Sequence, residues 1–192
     1  MDIAAASITL MMFSPLLIVV ALLIRVTSPG PALFRQPRHG LGGKRFEIFK
    51  FRTMYADKGD PTGVEQTMPD DPRITPIGRF IRRSSIDELP QLINVVIGDM
   101  SLVGPRPHAI GMRAGEKAYE DVVPYYSLRH AIRPGITGWA QVNGFRGLAH
   151  DPEIAQARIA HDMAYIQNMS LLLDLRIILK TIQHEFLSGN AS

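Results

Sequence analysis

A chain of 192 residues is long enough for one domain with a real core and short for two. It contains no cysteine, which excludes disulfides and thiolate metal centres and suits a reducing compartment. The net charge of +3 hides a local excess, because Arg25 to Arg52 holds seven Lys or Arg and one acid, Glu47. The hydrophobic residues are also unevenly spread, with a dense run at the N-terminus and no repeat or low-complexity tract.

Ile3 to Ile24 carries no charge. As a helix it reaches roughly 33 Å, enough to cross a hydrocarbon core of about 30 Å. A cleavable signal peptide is disfavoured, because a basic leader and a small-x-small cleavage site are missing. Ser14-Pro15 interrupts the run. Pro15 removes one backbone donor and frees the carbonyl of Met11, and the Ser14 hydroxyl is its natural local partner. Two arrangements satisfy this pattern: a kinked transmembrane helix, or a helix-break-helix that enters one leaflet and returns. The basic block after it has the composition of a cytoplasmic flank facing anionic headgroups.

Thr27–Pro31 ends the apolar element in turn residues, and Arg35–Gly43 is a second, basic, glycine-containing turn. Phe46–Arg52 (FEIFKFR) is predicted as a strand. At period two, Lys50 and Arg52 share a face with Ile48, while Phe49 and Phe51 form an aromatic pair facing the core. Two adjacent cations could wall a diphosphate, or could simply form a solvated basic face. Tyr55–Pro72 is predicted as a loop. Its Asp70-Asp71 pair is more naturally a turn and helix-entry signal than a metal ligand set.

The block from Arg82 to Pro107, RRSSIDELPQLINVVIGDMSLVGPRP, is the richest in chemistry. Pro90 is tolerated only in a first turn, so a helix through Leu92, Val95 and Val96 is predicted to begin near Ile86 or Asp87. Asp87 and Glu88 then lie at its N-terminus, where the dipole favours negative charge and keeps Asp87 ionised. Ordinary capping explains the same residues, since Ser85 and Glu88 have capping-box spacing. Capping, however, has no use for Arg79, Arg82 and Arg83 upstream or Gly104-Pro105-Arg106-Pro107 downstream. A phosphate-handling site does.

His108 to Arg129 is mixed and broken at Pro124, which predicts short helices. In RPGITGWAQVNGFRG, the glycines at 135, 138, 144 and 147 imply tight turns and close backbone approach. Trp139 suits the core, the membrane interface or a bound base. Asp151-Pro152 starts a helix carrying Ala155, Ile159, Met163 and Ile166, and Ser170 caps a last helix with Leu171, Leu175, Ile178, Ile182 and Phe186 in phase. Asp174, Arg176, Lys180 and Glu185 make that helix too charged to span, so it is expected on the domain or in the interface plane. None of the six histidines has metal-ligand spacing, which leaves them structural or solvated.

DELPQLINVVIGDMSLVGPRP, with FKFRTM before it and RPGITGWAQVNG after it, closely resembles the bacterial sugar transferases, the monotopic phosphoglycosyl transferases. The resemblance runs to about Leu175 and implies an α+β fold: a small, mostly helical, membrane-associated domain with a short β element. It implies a re-entrant membrane helix over residues 1–28, broken at Ser14-Pro15, and a catalytic domain over 29–192 with interfacial amphipathic helices. Relatives usually carry basic residues ahead of the apolar run, where this chain has only Met1-Asp2; a fragment of a longer protein would look the same.

The activity implied is transfer of a hexose-1-phosphate from a UDP-sugar to polyprenyl phosphate, at the cytoplasmic face of the bacterial inner membrane. Asp87 is the nucleophile, and Glu88 ligates Mg²⁺, since oxygen ligands and substrate phosphates suit that ion. Lys50, Arg52, Arg82, Arg106, Arg133 and Arg146 are the expected substrate-binding residues; Arg146 is placed one residue later than in relatives, after Phe145. Asp174 matches a recurring acid that serves as an ion-pair partner or a catalyst. The partners implied are the sugar nucleotide, the polyprenyl phosphate and the bilayer, with no nucleic acid. The oligomeric state is open and the sugar is not legible, although NGFRG leans towards glucose or galactose. Two other functions fit parts of the pattern: a non-catalytic membrane adaptor, and a phosphotransferase or hydrolase of another kind.

Overall fold

The computed structural model describes residues 1–59, 68, 70–147 and 151–187. Helix α1 (Asp2–Thr27) leads into a hairpin of β1 (Leu33–His39) and β2 (Arg45–Phe51). Then come α2 (Pro76–Arg83), a 3-10 turn at Ile86–Glu88, α3 (Gln91–Ile97) and β3 (Ser101–Val103). A small hairpin of β4 (Arg113–Ala114) and β5 (Lys117–Ala118) precedes α4 (Tyr119–Val122) and a 3-10 segment at Tyr126–Ala131. Strand β6 (Gly135–Thr137), α5 (Trp139–Val142), α6 (Pro152–Gln167) and α7 (Leu171–Leu187) complete the order. The result is the expected α+β chain, mostly helical with short strands.

Helical structure continues through Pro15, and the Ser14 hydroxyl donates to the Met11 carbonyl at 2.8 Å, the repair expected from the sequence. α1 is long and apolar enough to cross a membrane. Little of it is buried. Ala6 packs with Ile48, Leu92, Val95 and Met100, and Val20 and Ile24 pack with Phe51 and Ile81. Met11, Ile18, Leu22 and Val26 stay exposed. An apolar face of this size, left in water, would be an aggregation liability; in lipid it is at home.

β1 and β2 pair antiparallel from Leu33↔Phe51 to His39↔Arg45, one residue off the predicted strand limits. The expected inward aromatic pair is not what forms. Ile48 and Phe51 are the buried residues, because α3 covers one face of β2 while α2 and the C-terminal half of α1 cover the other. Phe49 is half-buried with the Arg35 guanidinium 5.3 Å above its ring.

α3 is locked to β2 by Asn94, which is fully buried. The Phe49 N–H donates to its Oδ1 at 2.9 Å, and its Nδ2 donates to the Glu47 carbonyl at 2.7 Å. These two bonds set the register between strand and helix, and so bring Lys50 to the segment preceding α3. A polar residue inside LINVV was the available sign.

The two glycine-rich blocks lie backbone to backbone. Ser101 and Val103 pair in parallel with Gly135 and Thr137, Gly104 N–H donates to the Thr137 carbonyl at 2.9 Å, and Gly135 N–H donates to the Pro105 carbonyl at 3.0 Å. A Cβ on Gly135 would lie 2.1 Å from Gly104 N, and one on Gly138 would lie 2.2 Å from Gly104 O. Gly144 and Gly147 instead have positive φ, 90° and 88°. The anticipated tight turns and close approach are both present. Gly135→Ala is expected to lower stability by about 1–3 kcal/mol, read as a fall in Tm, because backbone rather than a movable side chain is in the way.

Thr75 caps α2 by accepting from Gly78 N–H at 2.9 Å, and Ser170 caps α7 by accepting from Leu173 N–H at 3.3 Å. Asp151 stands at the N-cap of α6 without a side-chain cap bond. The segment from His108 to Arg129 holds a hairpin as well as short helices. Part of the predicted Tyr55–Pro72 loop, and the Phe186 and Glu185 side chains, lie outside the described residues. Trp139 is partly buried beside Val103, Val142, Tyr165 and Ile177, with Lys180 Nζ 5.2 Å above its ring.

Candidate active site

Asp87 and Glu88 do not occupy the first turn of an α-helix. They form the 3-10 turn before it, and Pro90 takes the N-cap position of α3. Ser85 makes no side-chain cap bond and sits in the left-handed region at φ 51°. That conformation costs a non-glycine residue roughly 1–2 kcal/mol. It reverses the chain after α2, and Arg146 Nη2 donates to the Ser85 hydroxyl at 3.1 Å across this reversal. The capping box suggested by the spacing is therefore not formed. Glu88 has different partners.

Lys50 Nζ donates to Glu88 Oε1 at 2.7 Å, Arg106 Nη1 donates to Oε2 at 3.1 Å, and Arg106 Nη2 also donates to Oε1. Three distant segments thus meet: β2, the 3-10 turn and the Gly-Pro-Arg-Pro turn. They open on a cavity of about 500 Å³ whose lining includes Lys50, Arg82, Asp87, Glu88, Arg106 and Arg146.

Burial alone would raise the Glu88 carboxyl, but the Arg106 and Lys50 charges and hydrogen bonds hold it well below the usual carboxylate range. Asp87 goes the other way. Burial, and then the Glu88 charge, push it up to about 6 against the pull of Lys50, Arg82 and Arg106. Asp87 precedes the first turn of α3, so the helix dipole does not hold it low as the sequence suggested. Burial also lowers Lys50, opposed by Glu88. One carboxylate is neutralised by fixed cations while its neighbour titrates near neutrality.

Two expected substrate contacts are engaged elsewhere. Arg52 lines the cavity, but its Nη2 donates to the Ser28 carbonyl at 2.8 Å and to the Ser28 hydroxyl at 2.9 Å, and its Nη1 donates to the Pro29 carbonyl. It ties the end of α1 to β2, because the helix terminus presents carbonyls that need donors. Arg133 is not part of the cavity lining; its exposed Nε–H donates to the Gly98 carbonyl at 2.9 Å. Asp174 is also elsewhere, accepting from the Tyr165 hydroxyl at 2.7 Å in a structural contact. Asp71 pairs with Arg73 Nη2 at 2.7 Å, which draws its carboxyl down to about 2 and occupies it as a turn residue.

Among the described residues there is no group of three or more His, Cys, Asp or Glu that could hold a metal alone. The adjacent carboxylates still fit a hard cation that shares its shell with water and phosphate oxygens. Burial first, and then the Glu88 charge, disfavour the Asp87 carboxylate, and such an ion would offset both.

A buried network behind the cavity was not legible in the sequence. Arg129 Nη2 lies 2.8 Å from Asp162 Oδ2 and donates to the Arg106 carbonyl at 2.6 Å. It therefore fixes the backbone of the residue that grips Glu88. His108, expected to be structural or solvated, is buried and lines the cavity.

The fold and cleft define an α+β domain with paired carboxylates and cations lining one cavity, carried on an apolar helix. The bacterial sugar transferase family pattern matches residues 1–188, and the chain belongs to that family. It is 52% identical over 188 residues to the exopolysaccharide production protein PSS of Rhizobium leguminosarum bv. phaseoli, covering 98% of this chain and 94% of that one. It is 50% identical over 190 residues to an undecaprenyl-phosphate glucose phosphotransferase of Komagataeibacter xylinus, covering 99% of this chain and 36% of that protein. A UDP-glucose:undecaprenyl-phosphate glucose-1-phosphate transferase of Caulobacter vibrioides is 49% identical over 191 residues, covering 100% of this chain and 70% of that one.

Proposed function

We propose that this chain moves a sugar-1-phosphate from a UDP-sugar to a polyprenyl phosphate such as undecaprenyl phosphate, in two displacements at one phosphorus atom. An Asp87 carboxylate oxygen attacks the β-phosphorus. The bond to the bridging oxygen breaks, UMP departs with the electron pair, and the sugar-phosphoryl group is left on Asp87. A phosphate oxygen of the polyprenyl phosphate then attacks the same phosphorus, the aspartyl–phosphorus bond breaks, and the carboxylate is regenerated as the lipid diphosphosugar forms. An acyl phosphate lies between two phosphoanhydrides, so no other energy source is needed.

The observation that carries this reading is the pairing of Glu88 with Lys50 and Arg106 beside Asp87 in the lining of one cavity. Phosphoryl transfer depends mostly on such positioning and charge neutralisation. Lys50, Arg82, Arg106 and Arg146 would receive the diphosphate and nucleotide. Mg²⁺ held by Glu88 together with substrate phosphates would add Lewis-acid neutralisation of the diphosphate.

The apolar face of α1, with exposed Leu171, Leu172, Leu175 and Leu179 on α7, supports a seat in the membrane surface. There the cleft meets the acceptor's headgroup. We place it on the cytoplasmic face of the bacterial inner membrane, with α1 entering one leaflet and returning at Ser14-Pro15. The reaction would open glycoconjugate assembly, exopolysaccharide among the products. The sugar names in the relatives favour glucose as the first substrate to try.

The test is a UMP-release screen across UDP-sugars with Mg²⁺, without and then with polyprenyl phosphate. Stoichiometric UMP before lipid is added, with the sugar-phosphoryl mass on Asp87, is the expected result. Release of inorganic phosphate instead, or no release from any UDP-sugar, would overturn the reading.

A further inference from the structure

Besides the carboxylates and cations, the same cavity is lined by neutral polar side chains. Gln36, Gln91 and His108 are 3%, 1% and 6% exposed, and all three line it with Gln141. Gln36 Oε1 accepts from Arg38, His108 Nδ1 lies 3.1 Å from the Tyr126 hydroxyl, and Gln141 Nε2 donates to the Ile136 carbonyl at 3.4 Å. Gln36, His108 and Gln141 are thus each oriented by one bond. The other atoms, Gln36 Nε2, His108 Nε2 and Gln141 Oε1, have no hydrogen-bond partner among the described residues, and neither do both amide atoms of Gln91. Buried polar atoms are rarely left so, because each one carries a desolvation penalty. Several converging on one cavity indicate a ligand with both donors and acceptors.

The chemistry of the wall favours a neutral ligand over phosphate. Three of its members are amides, and burial among Arg129, Arg158, Arg38 and Arg106 holds the His108 imidazole neutral. The nearby cations are already engaged: Lys50 and Arg106 with Glu88, Arg38 with Gln36 Oε1 and Arg129 with Asp162. A neutral polyhydroxyl group or a nucleobase edge remains.

The two-displacement reading, on which this inference rests, separates these. In-line attack requires both the leaving and the entering oxygen to stand opposite Asp87. UMP must therefore vacate the position that the lipid phosphate then takes, next to the membrane. Only the sugar stays on phosphorus throughout the cycle and needs continuous enclosure. The wall fits that part. His108 stacks edge-on to Tyr119 at 5.0 Å, and Tyr119 belongs to the cluster with Ala155 and Ile159 on α6. His108 thus lies away from α1, whose buried residues pack in the clusters with β2, α2 and α3, while Gln36 and Gln91 come from β1 and α3 on the other side of the cavity.

The geometry points to Gln36, Gln91, His108 and Gln141 as a subsite for the hydroxyls of the transferred hexose, distinct from the nucleotide's. Gln91→Met and Gln36→Met keep side-chain volume and remove amide atoms. Each is expected to reduce kcat/KM for UMP release by about tenfold or more while inhibition by UMP stays within about twofold. A UDP-sugar lacking the contacted hydroxyl should be penalised by the parent enzyme and not further by the variant. The two variants are independent, and thermal unfolding identifies either one that fails to fold. A parent that turns over, with variants that lose UMP affinity by the same factor or keep full kcat/KM, overturns the subsite alone. A parent releasing no UMP from any UDP-sugar overturns the two-displacement reading and the subsite with it.

Discussion

Asp87→Asn is expected to abolish UMP release, by on the order of a thousandfold or more, and at the same time to make the protein more stable at neutral pH. The first effect follows from removal of the nucleophilic oxygen, while Lys50, Glu88 and Arg106 keep their mutual contacts. The second follows from linkage. Burial, with the Glu88 charge, raises Asp87 from 3.8 to about 6, so between those values the folded chain holds more protons than the unfolded one. Stability therefore falls as pH rises through this window, and above it the ionised carboxylate destabilises the fold by up to roughly 3 kcal/mol. Asparagine has no such ionisation to suppress. The Tm of the variant should exceed that of the parent at pH 7.5, and the gap should close towards pH 4. The parent's kcat/KM should fall as pH drops through about 6, where the nucleophile takes up a proton. A variant less stable than the parent at pH 7.5, or one that still releases UMP, would contradict the assignment.

Breaking the Asp162–Arg129 pair is the second large perturbation. Both side chains are almost wholly buried, at 3% and 2% exposure. Burial disfavours both charges. It wins at Asp162, whose carboxyl is pushed up, whereas at Arg129 the carboxylate and Tyr126 outweigh it and raise the guanidinium. An arginine keeps its proton in any folded protein, and with a 2.8 Å contact the carboxylate is the partner that stays charged. Asp162→Asn leaves that guanidinium buried without its counter-charge, and a loss of about 3–5 kcal/mol is expected. The double change Asp162→Leu with Arg129→Met removes both charges and should recover much of the stability. Activity should not return with it, because Arg129 also donates to the Arg106 carbonyl and so places the residue that holds Glu88. Denaturant unfolding and UMP release, measured on both variants, separate the two effects. Recovery of both together would show that the pair has no part in placing Arg106.

Local chemistry was legible from the chain alone. Pro15 and Ser14 predicted a freed carbonyl and its repair, the FEIFKFR alternation predicted the strand bearing Lys50, and the glycines of RPGITG predicted close backbone contact. These depend on neighbours within a few residues, where covalent geometry and period decide the outcome. Asp87-Glu88 was ambiguous at that range, since a cap and a charged cleft ask for the same residues at the same spacing. The choice between them lay in Lys50, 38 positions away from Glu88, and in Arg106, 18 away. The same distance effect moved Arg52 to the end of α1 and Arg133 to the Gly98 carbonyl, although both looked like phosphate ligands. Arginine is equally suited to a phosphate oxygen and to an unpaired backbone carbonyl, and only the packed chain shows which acceptor is within reach. The buried wall of Gln36, Gln91 and His108, and the pair behind Arg106, belong to tertiary structure for the same reason. Their significance comes from being removed from water beside a cavity, and no local pattern encodes that.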